Sequence, residues 1–133
     1  MELVINANIL FSLAKSSSKT RDLISNFALS LYAPNFAKTE IIKYKEDILK
    51  KANLNDFNIF LNILNTRINF VDLEDYKEQI KKCKGIIKDE KDIEYVALAM
   101  KLNIPLWTND RLLKDQNLIK ALTTSDIIEI LTN

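Results

Sequence analysis

The sequence predicts an α/β protein, a three-layer α/β/α sandwich with a central parallel sheet of about five strands. Short apolar segments alternate along the chain with segments of helical periodicity, which is typical of parallel strands joined by helices. The chain has 133 residues, 47% of them hydrophobic, and this is enough for one domain with a substantial core. Because it contains neither internal repeats nor a linker rich in Pro, Gly or Ser, we expect a single domain over residues 1–133.

The first half of the chain predicts two strands and four helices. The opening segment 3–5 is aliphatic and β-branched, as a buried strand requires, and Pro34 ends a second short strand at 31–34. Apolar residues at helical spacing predict helices over residues 8–15, 19–30, 36–53 and 54–66.

The second half predicts three strands and four helical segments. Apolar and β-branched runs predict strands at 68–73, 104–108 and 119–124. The helical segments cover residues 74–88, 89–103, 109–114 and 125–132. The second of these is the most strongly periodic, with Ile93, Val96, Ala97 and Met100 on one face.

Composition excludes several kinds of catalytic site. The chain has no histidine and one cysteine, Cys83, so it cannot use histidine-based nucleophilic catalysis or bind zinc through histidine and thiolates. It has one glycine and no glycine-rich phosphate-binding motif. The remaining chemistry is that of carboxylates with a hard divalent metal, which prefers oxygen ligands. A binding module without catalysis is the alternative.

Location and charge give weaker expectations. A single cysteine fits the reducing cytoplasm, and no apolar run approaches the ~20 residues of a membrane span, so we expect a cytoplasmic protein without a membrane segment. The net charge of +1 gives no strong overall attraction to nucleic acid. Lysines are dense at 43–51 and 81–88, but such clusters are more typical of solvated helix faces than of phosphate-binding surfaces.

Four polar residues stand at the ends of predicted elements. Asn6 ends the first strand, and Glu40 lies on the helix after the second strand. Asp92 begins the most periodic helix, and Asp110 follows the fourth strand. Each one, taken alone, fits a helix cap or a surface residue. The four can converge on one cleft if the first and fourth strands are neighbours, because sites in parallel sheets gather at the carboxyl ends of the strands.

Convergence of these side chains would itself favour a cation. Carboxylates that share a cleft repel one another and raise one another's pKa values. A bound Mg²⁺ or Mn²⁺ removes this repulsion and supplies a Lewis acid together with a water molecule of lowered pKa. The joint placement of the four residues therefore favours a metal site more strongly than any one of them does.

The same segments resemble the PIN-domain nucleases over essentially the whole length of the chain. The family has an aspartate at the end of the first strand, in a position where this chain has VINANIL. Glu40 in APNFAKTEI, Asp92 in DEKDIEYVALAMKLNIPLWTND and Asp110 in TND match the other acidic positions. The last two segments are most similar to a branch of small prokaryotic members grouped with toxin–antitoxin ribonucleases.

The resemblance implies a metal-dependent endoribonuclease that hydrolyses RNA phosphodiesters. Asp92 and Asp110 would hold Mg²⁺ or Mn²⁺ directly or through water, and Glu40 would orient a second ion or the nucleophilic water. Glu40, Asp92 and Asp110 would thus be catalytic, and Asn6 would complete the set of metal ligands.

The resemblance also implies supporting residues and partners. Thr108 would position Asp110 or a water, while Lys43, Arg111 and Lys114 would contact phosphates at the rim of the cleft. The partners would be an RNA substrate and an antitoxin protein, with the chain itself acting as the toxin and forming a homodimer.

The departure from the family pattern at Asn6 lowers the expected activity. Asn is nearly isosteric with Asp, so the fold should survive, but the site loses one negative charge. Two unit charges about 4 Å apart interact by roughly 4 kcal/mol at an effective dielectric of 20. Metal affinity should therefore fall by orders of magnitude. Either Asn6 is natural, or it replaces an Asp so that a toxic nuclease can accumulate.

Two other functions remain open beside the nuclease. A catalytically inactive PIN-like domain would use the same cleft to hold RNA or a protein segment. A structural α/β domain would use all of these acids as caps and surface residues.

Overall fold

The protein forms one five-stranded parallel sheet in a computed structural model that describes residues 1–15 and 17–133. The strands are β1 (Glu2–Ile5), β2 (Ser30–Pro34), β3 (Ile68–Val71), β4 (Leu106–Trp107) and β5 (Ala121–Leu122). They lie in the order β3-β2-β1-β4-β5, and every neighbouring pair is parallel. The predicted α/β class and parallel sheet are confirmed, and the first and fourth strands are neighbours, which is the condition for the four polar residues to converge.

Nine α-helices flank the sheet in the part of the chain that the structure describes. They are α1 (Ala7–Ser12), α2 (Lys19–Asn26), α3 (Phe36–Lys43), α4 (Lys45–Lys51), α5 (Leu54–Arg67), α6 (Lys77–Cys83), α7 (Glu90–Leu102), α8 (Arg111–Lys114) and α9 (Thr124–Thr132). A short 3-10 turn, Leu73–Asp75, follows β3. Within the described ranges no helix is long and apolar enough to cross a membrane.

The strand order reverses direction at β1. From β1 the chain adds β2 and then β3 on one side, whereas β4 and β5 are added on the other side. Such a reversal sends the connections to opposite faces of the sheet and opens a crevice at the carboxyl ends of the two central strands. The fold therefore places a cleft where β1 and β4 end.

The central strands are built for burial on both faces. Leu3, Val4 and Ile5 are fully buried, as are Leu106 and Trp107. Continuous apolar strands of this kind are typical of parallel sheets that are covered by helices on both sides. The core that these strands form holds the strand ends, and the polar residues following them, in fixed positions.

Three predicted helices differ clearly from those observed. The helix predicted at 19–30 ends at Asn26, and Ser30 belongs to β2. The predicted helix 36–53 is divided at Tyr44, whose backbone (φ −102°, ψ 14°) leaves the helical region between α3 and α4. The Tyr44 ring packs edge-on against Phe11 of α1, with centroids 6.2 Å apart. The predicted helix 74–88 is shortened to α6, because it starts after the 3-10 turn and ends before Gly85, which has φ 86°.

The fourth and fifth strands are shorter than predicted. Each has two residues in the sheet, but backbone hydrogen bonds extend the pairing: Val4 N donates to Pro105 O at 3.0 Å, and Thr108 N donates to Leu122 O at 2.9 Å. The apolar pattern of the sequence marks the buried stretch, whereas the number of paired residues depends on where neighbouring strands end.

A buried arginine that the sequence did not reveal joins α2 to the end of α1. Arg21 is 9% exposed, and its Nε and Nη2 atoms donate to Leu13 O at 3.0 and 2.7 Å. Its Nη1 atom lies 3.6 Å from Asp56 Oδ1 on α5. The guanidinium fixes three helices around one carbonyl group, and its charge is balanced by Asp56.

Replacing Arg21 with Met should lower the free energy of unfolding by about 2–4 kcal/mol, because Leu13 O and Asp56 would lose their buried partner. Urea unfolding followed by circular dichroism measures the change. Lys81→Met is the control, since the Lys81–Glu78 pair is exposed and should contribute little. A loss for Arg21→Met no larger than that of the control would show that the guanidinium does not fasten these helices.

Candidate active site

Asn6 and Thr108 meet where the two central strands end. The register pairs Val4 with Leu106 and Ile5 with Trp107, so the next residues on each strand lie side by side. Asn6 N donates to Trp107 O at 3.0 Å, and Asn6 Nδ2 donates to Thr108 Oγ1 at 2.9 Å. Both side chains are buried, at 2% and 1% exposure.

The Asn6 amide has both of its ends engaged. Its Oδ1 atom accepts from Ala7 N at 2.9 Å and so caps α1, as the simpler interpretation of the sequence expected. A backbone N–H is a donor only, so the amide oxygen must face Ala7 and the nitrogen must face Thr108. Asn6 is thus a helix cap that also contacts Thr108 where the two central strands end.

The Thr108 hydroxyl connects Asn6 to Asp110. Thr108 Oγ1 accepts from Asn6 Nδ2 and also from Asp110 N at 3.1 Å. Asp110 Oδ1 then accepts from Leu112 N at 2.9 Å and caps α8. The predicted supporting residue therefore fixes the backbone of Asp110, and it does so by accepting two hydrogen bonds.

Asp92 faces Asp110 across a cavity of about 540 Å³ that both residues line. Asp92 lies in the first turn of α7, whose N-cap is Asp89. Burial, followed by the nearby carboxylates of Asp89 and Asp110, raises the pKa of Asp92 to about 6. The carboxylates of Asp92, Asp89 and Asp110 therefore lie close together, and Lys88 lines the same cavity. Within the described part of the chain, neither Asp92 nor Asp110 forms a salt bridge.

Glu40 of α3 lies near Tyr95 of α7, the helix that also carries Asp92. Phe36 and Glu40 are four residues apart and share a helix face. The Phe36 ring packs edge-on against Tyr95, with centroids 5.8 Å apart and an interplanar angle of 69°. Burial, then the carboxylates of Glu40, Glu94 and Asp92, raises the pKa of the Tyr95 phenol well above its usual value.

The four predicted ligands thus differ in how directly the structure connects them to one another. Asn6 and Asp110 share the Thr108 hydroxyl, Asp92 faces Asp110, and Glu40 is half-buried near Tyr95. Within residues 1–15 and 17–133, no three Asp, Glu, His or Cys side chains form a group that could hold a metal ion. The residue that follows β1, Asn6, is an amide, and it adds no charge to the Asp92–Asp110 pair.

The three predicted phosphate contacts lie on two helices. Lys43 is exposed in the last turn of α3, with its ammonium 5.3 Å from the centre of the Tyr44 ring. Arg111 is exposed and begins α8 directly after Asp110. Lys114, at the end of α8, forms an ion pair with Asp126 of α9. Arg111 is the one of the three that adjoins a predicted acidic ligand in sequence.

Sequence reasoning missed two residues of the site, Tyr95 and Asn109. Asn109 Nδ2 donates to Thr124 Oγ1 at 3.2 Å, while its Oδ1 accepts from Thr124 N at 2.9 Å, so the segment after β4 is fastened to α9. Tyr95 follows Asp92 by three residues on the most apolar helix, and this spacing was the available signal. A tyrosine inside an apolar stripe is commonly a core residue, so the sequence alone did not indicate a function for its hydroxyl.

Comparisons with known proteins agree with the fold. The family model of the PIN domain matches residues 4–127 of the chain. No curated protein gives a significant match. Among solved structures, the chain is similar to VapBC2 from Rickettsia felis bound to a DNA fragment from their promoter, with a TM-score of 0.61 and 18% identity. The match covers 92% of this chain and 98% of the other, and at this identity it supports the fold alone.

Thr108→Val should lower the free energy of unfolding by about 1–3 kcal/mol, because the isosteric side chain leaves Asn6 Nδ2 and Asp110 N without an acceptor. Urea unfolding measures the difference. Thr66→Val is the control, since Thr66 is exposed and should change the free energy by no more than about 0.5 kcal/mol. Equal effects of the two changes would mean that Thr108 does not hold the two strand ends.

Asp92→Asn should stabilise the protein above pH 6 and lose this advantage as the pH falls. The pKa of Asp92 is raised to about 6, so between its unfolded value near 3.8 and about 6 the folded state binds the extra proton. The free energy of unfolding of the parent protein therefore falls as the pH rises from 3.8 to about 6, and it stays low above pH 6. Solvent screens the half-buried carboxylate, so the gain at pH 7.5 should be about 1–2 kcal/mol.

Urea unfolding of both proteins between pH 4.5 and 8 measures this dependence. Asp75→Asn removes an exposed charge from the 3-10 turn and is the control for a general charge effect. A difference between Asp92→Asn and the parent that is constant with pH would contradict the close approach of Asp92 and Asp110.

Proposed function

Because the chain belongs to the PIN-domain family, we propose that it is a metal-dependent endoribonuclease hydrolysing RNA phosphodiesters, with an activity weakened by Asn6. The observation that carries the proposal is the facing pair of carboxylates, Asp92 and Asp110, at the carboxyl end of the central strands. In a family of nucleases, a pair of this kind in an open cleft is suited to a divalent cation.

The residues present fit Mg²⁺ or Mn²⁺ by their chemistry. The cavity is lined by the carboxylates of Asp89, Asp92, Asp110 and Asp115 and by two side-chain amides, which offer the oxygen ligands that hard divalent ions prefer, together with the ammonium of Lys88. Burial and then the carboxylates of Asp89 and Asp110 raise the pKa of Asp92, and a cation would favour its charged form. Asp92 and Asp110 would hold the ion, and Glu40 would complete the acidic side of the site. When bound, such an ion supplies a Lewis acid and a water molecule of lowered pKa.

Residues of the chain itself would position the acidic ligand, the attacking water and the phosphates of the RNA. Thr108 holds the backbone of Asp110, and the cap on Leu112 holds its carboxylate, so this ligand is ordered before anything binds. Glu40 would accept a hydrogen bond from the attacking water and aim it at the scissile phosphate. Arg111 and Lys43 would contact neighbouring phosphates, and Lys114 would do so after release from Asp126.

Asn6 weakens the site through its hydrogen bonds as well as its charge. Its oxygen accepts from Ala7 N, and its nitrogen points donor hydrogens at Thr108, so the amide is fixed with no oxygen free on the Thr108 side. A hydroxyl can donate as readily as it accepts. A carboxylate at this position would therefore take a hydrogen bond from Thr108 without any other change in the structure.

The proposal extends to the biological setting. The similarity of the segments around Asp92 and Asp110 to small prokaryotic members of the family supports a toxin of a toxin–antitoxin pair, with an antitoxin protein as its partner. We further propose a homodimer that works in the cytoplasm on an RNA substrate.

A second candidate function is a catalytically inactive domain that binds RNA or a protein segment in the same cleft. The observation that favours it is the fully hydrogen-bonded Asn6, together with the lack of any three-acid group within residues 1–15 and 17–133. Cleavage assays separate the two functions.

Asn6→Asp should raise Mn²⁺-dependent cleavage of RNA by at least about tenfold over the parent chain, because the added charge strengthens cation binding. Gel electrophoresis of a mixed RNA pool, with and without Mn²⁺, measures the rate. Asp92→Asn or Asp110→Asn in the Asn6→Asp protein should return cleavage to background.

Asp75→Asn in the same protein is the matched control and should leave cleavage unchanged, since Asp75 is exposed outside the cleft. If the folded Asn6→Asp protein cleaves no RNA with Mn²⁺, the nuclease proposal is wrong. Retained binding of RNA in a gel-shift assay would then support the inactive binding domain.

A further inference from the structure

The Tyr95 hydroxyl is buried without a hydrogen-bond partner. Among the side chains of residues 1–15 and 17–133, its oxygen is the one buried polar atom in this condition. Tyr95 is 1% exposed, so bulk solvent does not reach its hydroxyl. A buried tyrosine hydroxyl normally finds a hydrogen bond, and leaving one unpaired destabilises the folded state. An unpaired buried hydroxyl of this kind indicates that the group gains a hydrogen-bond acceptor when a ligand binds nearby.

Tyr95 lies between the two helices that carry the acidic residues. It follows Asp92 by one turn of α7, and its ring packs against Phe36 of α3. Glu40 is one turn after Phe36 on the same face of α3. The phenol is therefore directed to the region between Glu40 and Asp92.

Three carboxylates lie near the phenol, and one of them is the best acceptor. Glu94 already accepts a hydrogen bond from Tyr76 at 2.6 Å. Asp92 lines the cavity opposite Asp110. Glu40 has the strongest electrostatic effect of the three on the phenol. Glu40 lies one turn after Phe36, whose ring packs against Tyr95, and this placement favours Glu40 as the acceptor.

We propose that Tyr95 is a positioning residue, whose hydroxyl donates a hydrogen bond to the Glu40 carboxylate and holds it at the cleft when a divalent cation binds. This inference deepens the proposed function and rests on it. A hydrogen bond to an ionised carboxylate favours its charged form and fixes its direction, which is how outer-shell partners tune metal ligands.

Repulsion between carboxylates opposes an approach of Glu40 to the cleft. Turning Glu40 into the cleft would bring a third negative charge towards Asp92 and Asp110, which line one cavity, and carboxylates that share a site repel one another. A bound cation removes that penalty, and Tyr95 then gains its acceptor. Cation binding and the Tyr95–Glu40 hydrogen bond thus favour each other.

Tyr95→Phe in the Asn6→Asp protein tests this inference. Without metal, the change should raise the melting temperature by a few degrees, because it removes an unpaired buried hydroxyl and keeps the ring. In calorimetric titration with Mn²⁺ it should raise Kd by about tenfold, because Glu40 loses its donor. A role in packing alone would change the melting temperature and leave the Kd unaltered.

A double-mutant cycle with Glu40→Ala shows whether Tyr95 acts through Glu40. In the Glu40→Ala protein, Tyr95→Phe should change the Mn²⁺ Kd by less than about twofold. Tyr76→Phe is the matched control: it removes a buried hydroxyl that does have a partner, so it should lower the melting temperature and leave the Kd within about twofold.

The outcomes distinguish the two proposals. If the folded Asn6→Asp protein does not bind Mn²⁺, the proposed function and the role of Tyr95 are both wrong. If it binds Mn²⁺ and Tyr95→Phe binds equally well, only the role of Tyr95 is overturned. An equal loss of affinity in the Glu40→Ala protein would also overturn it, since Tyr95 would then act without Glu40.

Discussion

The register between β1 and β4 is the constraint on which the rest of the site depends. Pairing Ile5 with Trp107 sets Asn6 against Thr108, and the Thr108 hydroxyl then fixes Asp110. A shift of one residue would exchange the two faces of the strand and turn Asn6 away. The fully buried side chains of both strands prevent such a shift, so core packing determines where the polar residues stand.

The cleft combines several features that destabilise the folded protein. Asp92 is half-buried beside two other carboxylates, and Tyr95 buries a hydroxyl without a partner. Asn6 relieves part of the repulsion by being neutral, and its hydrogen bonds are complete. Away from the cleft, by contrast, the buried guanidinium of Arg21 has hydrogen-bond partners, because it donates twice to Leu13 O. Buried polar groups without hydrogen-bond partners, together with carboxyls of shifted pKa, are characteristic of functional sites when they cluster at one end of a sheet.

The sequence predicted the fold well because its strands are short, apolar and separated by periodic helices. It also placed Asn6, Glu40, Asp92 and Asp110 at element ends, where parallel topology brings side chains together. The break at Tyr44 was not predictable, because it accompanies a ring contact with Phe11 on a distant helix. Arg21 and Tyr95 were missed for a related reason: both lie in helical patterns, and their roles depend on tertiary neighbours.

The strand order also determines when the cleft is assembled during synthesis. Asn6 and Thr108 are 102 positions apart, with the helices α1 to α7 between them. At roughly 5–20 residues per second, a ribosome needs on the order of 5–20 seconds to make that stretch. During this interval β1 can pair with β2, but its other edge stays open and Asn6 lacks Thr108. The cleft therefore forms late on the nascent chain, after most of the domain has left the ribosome.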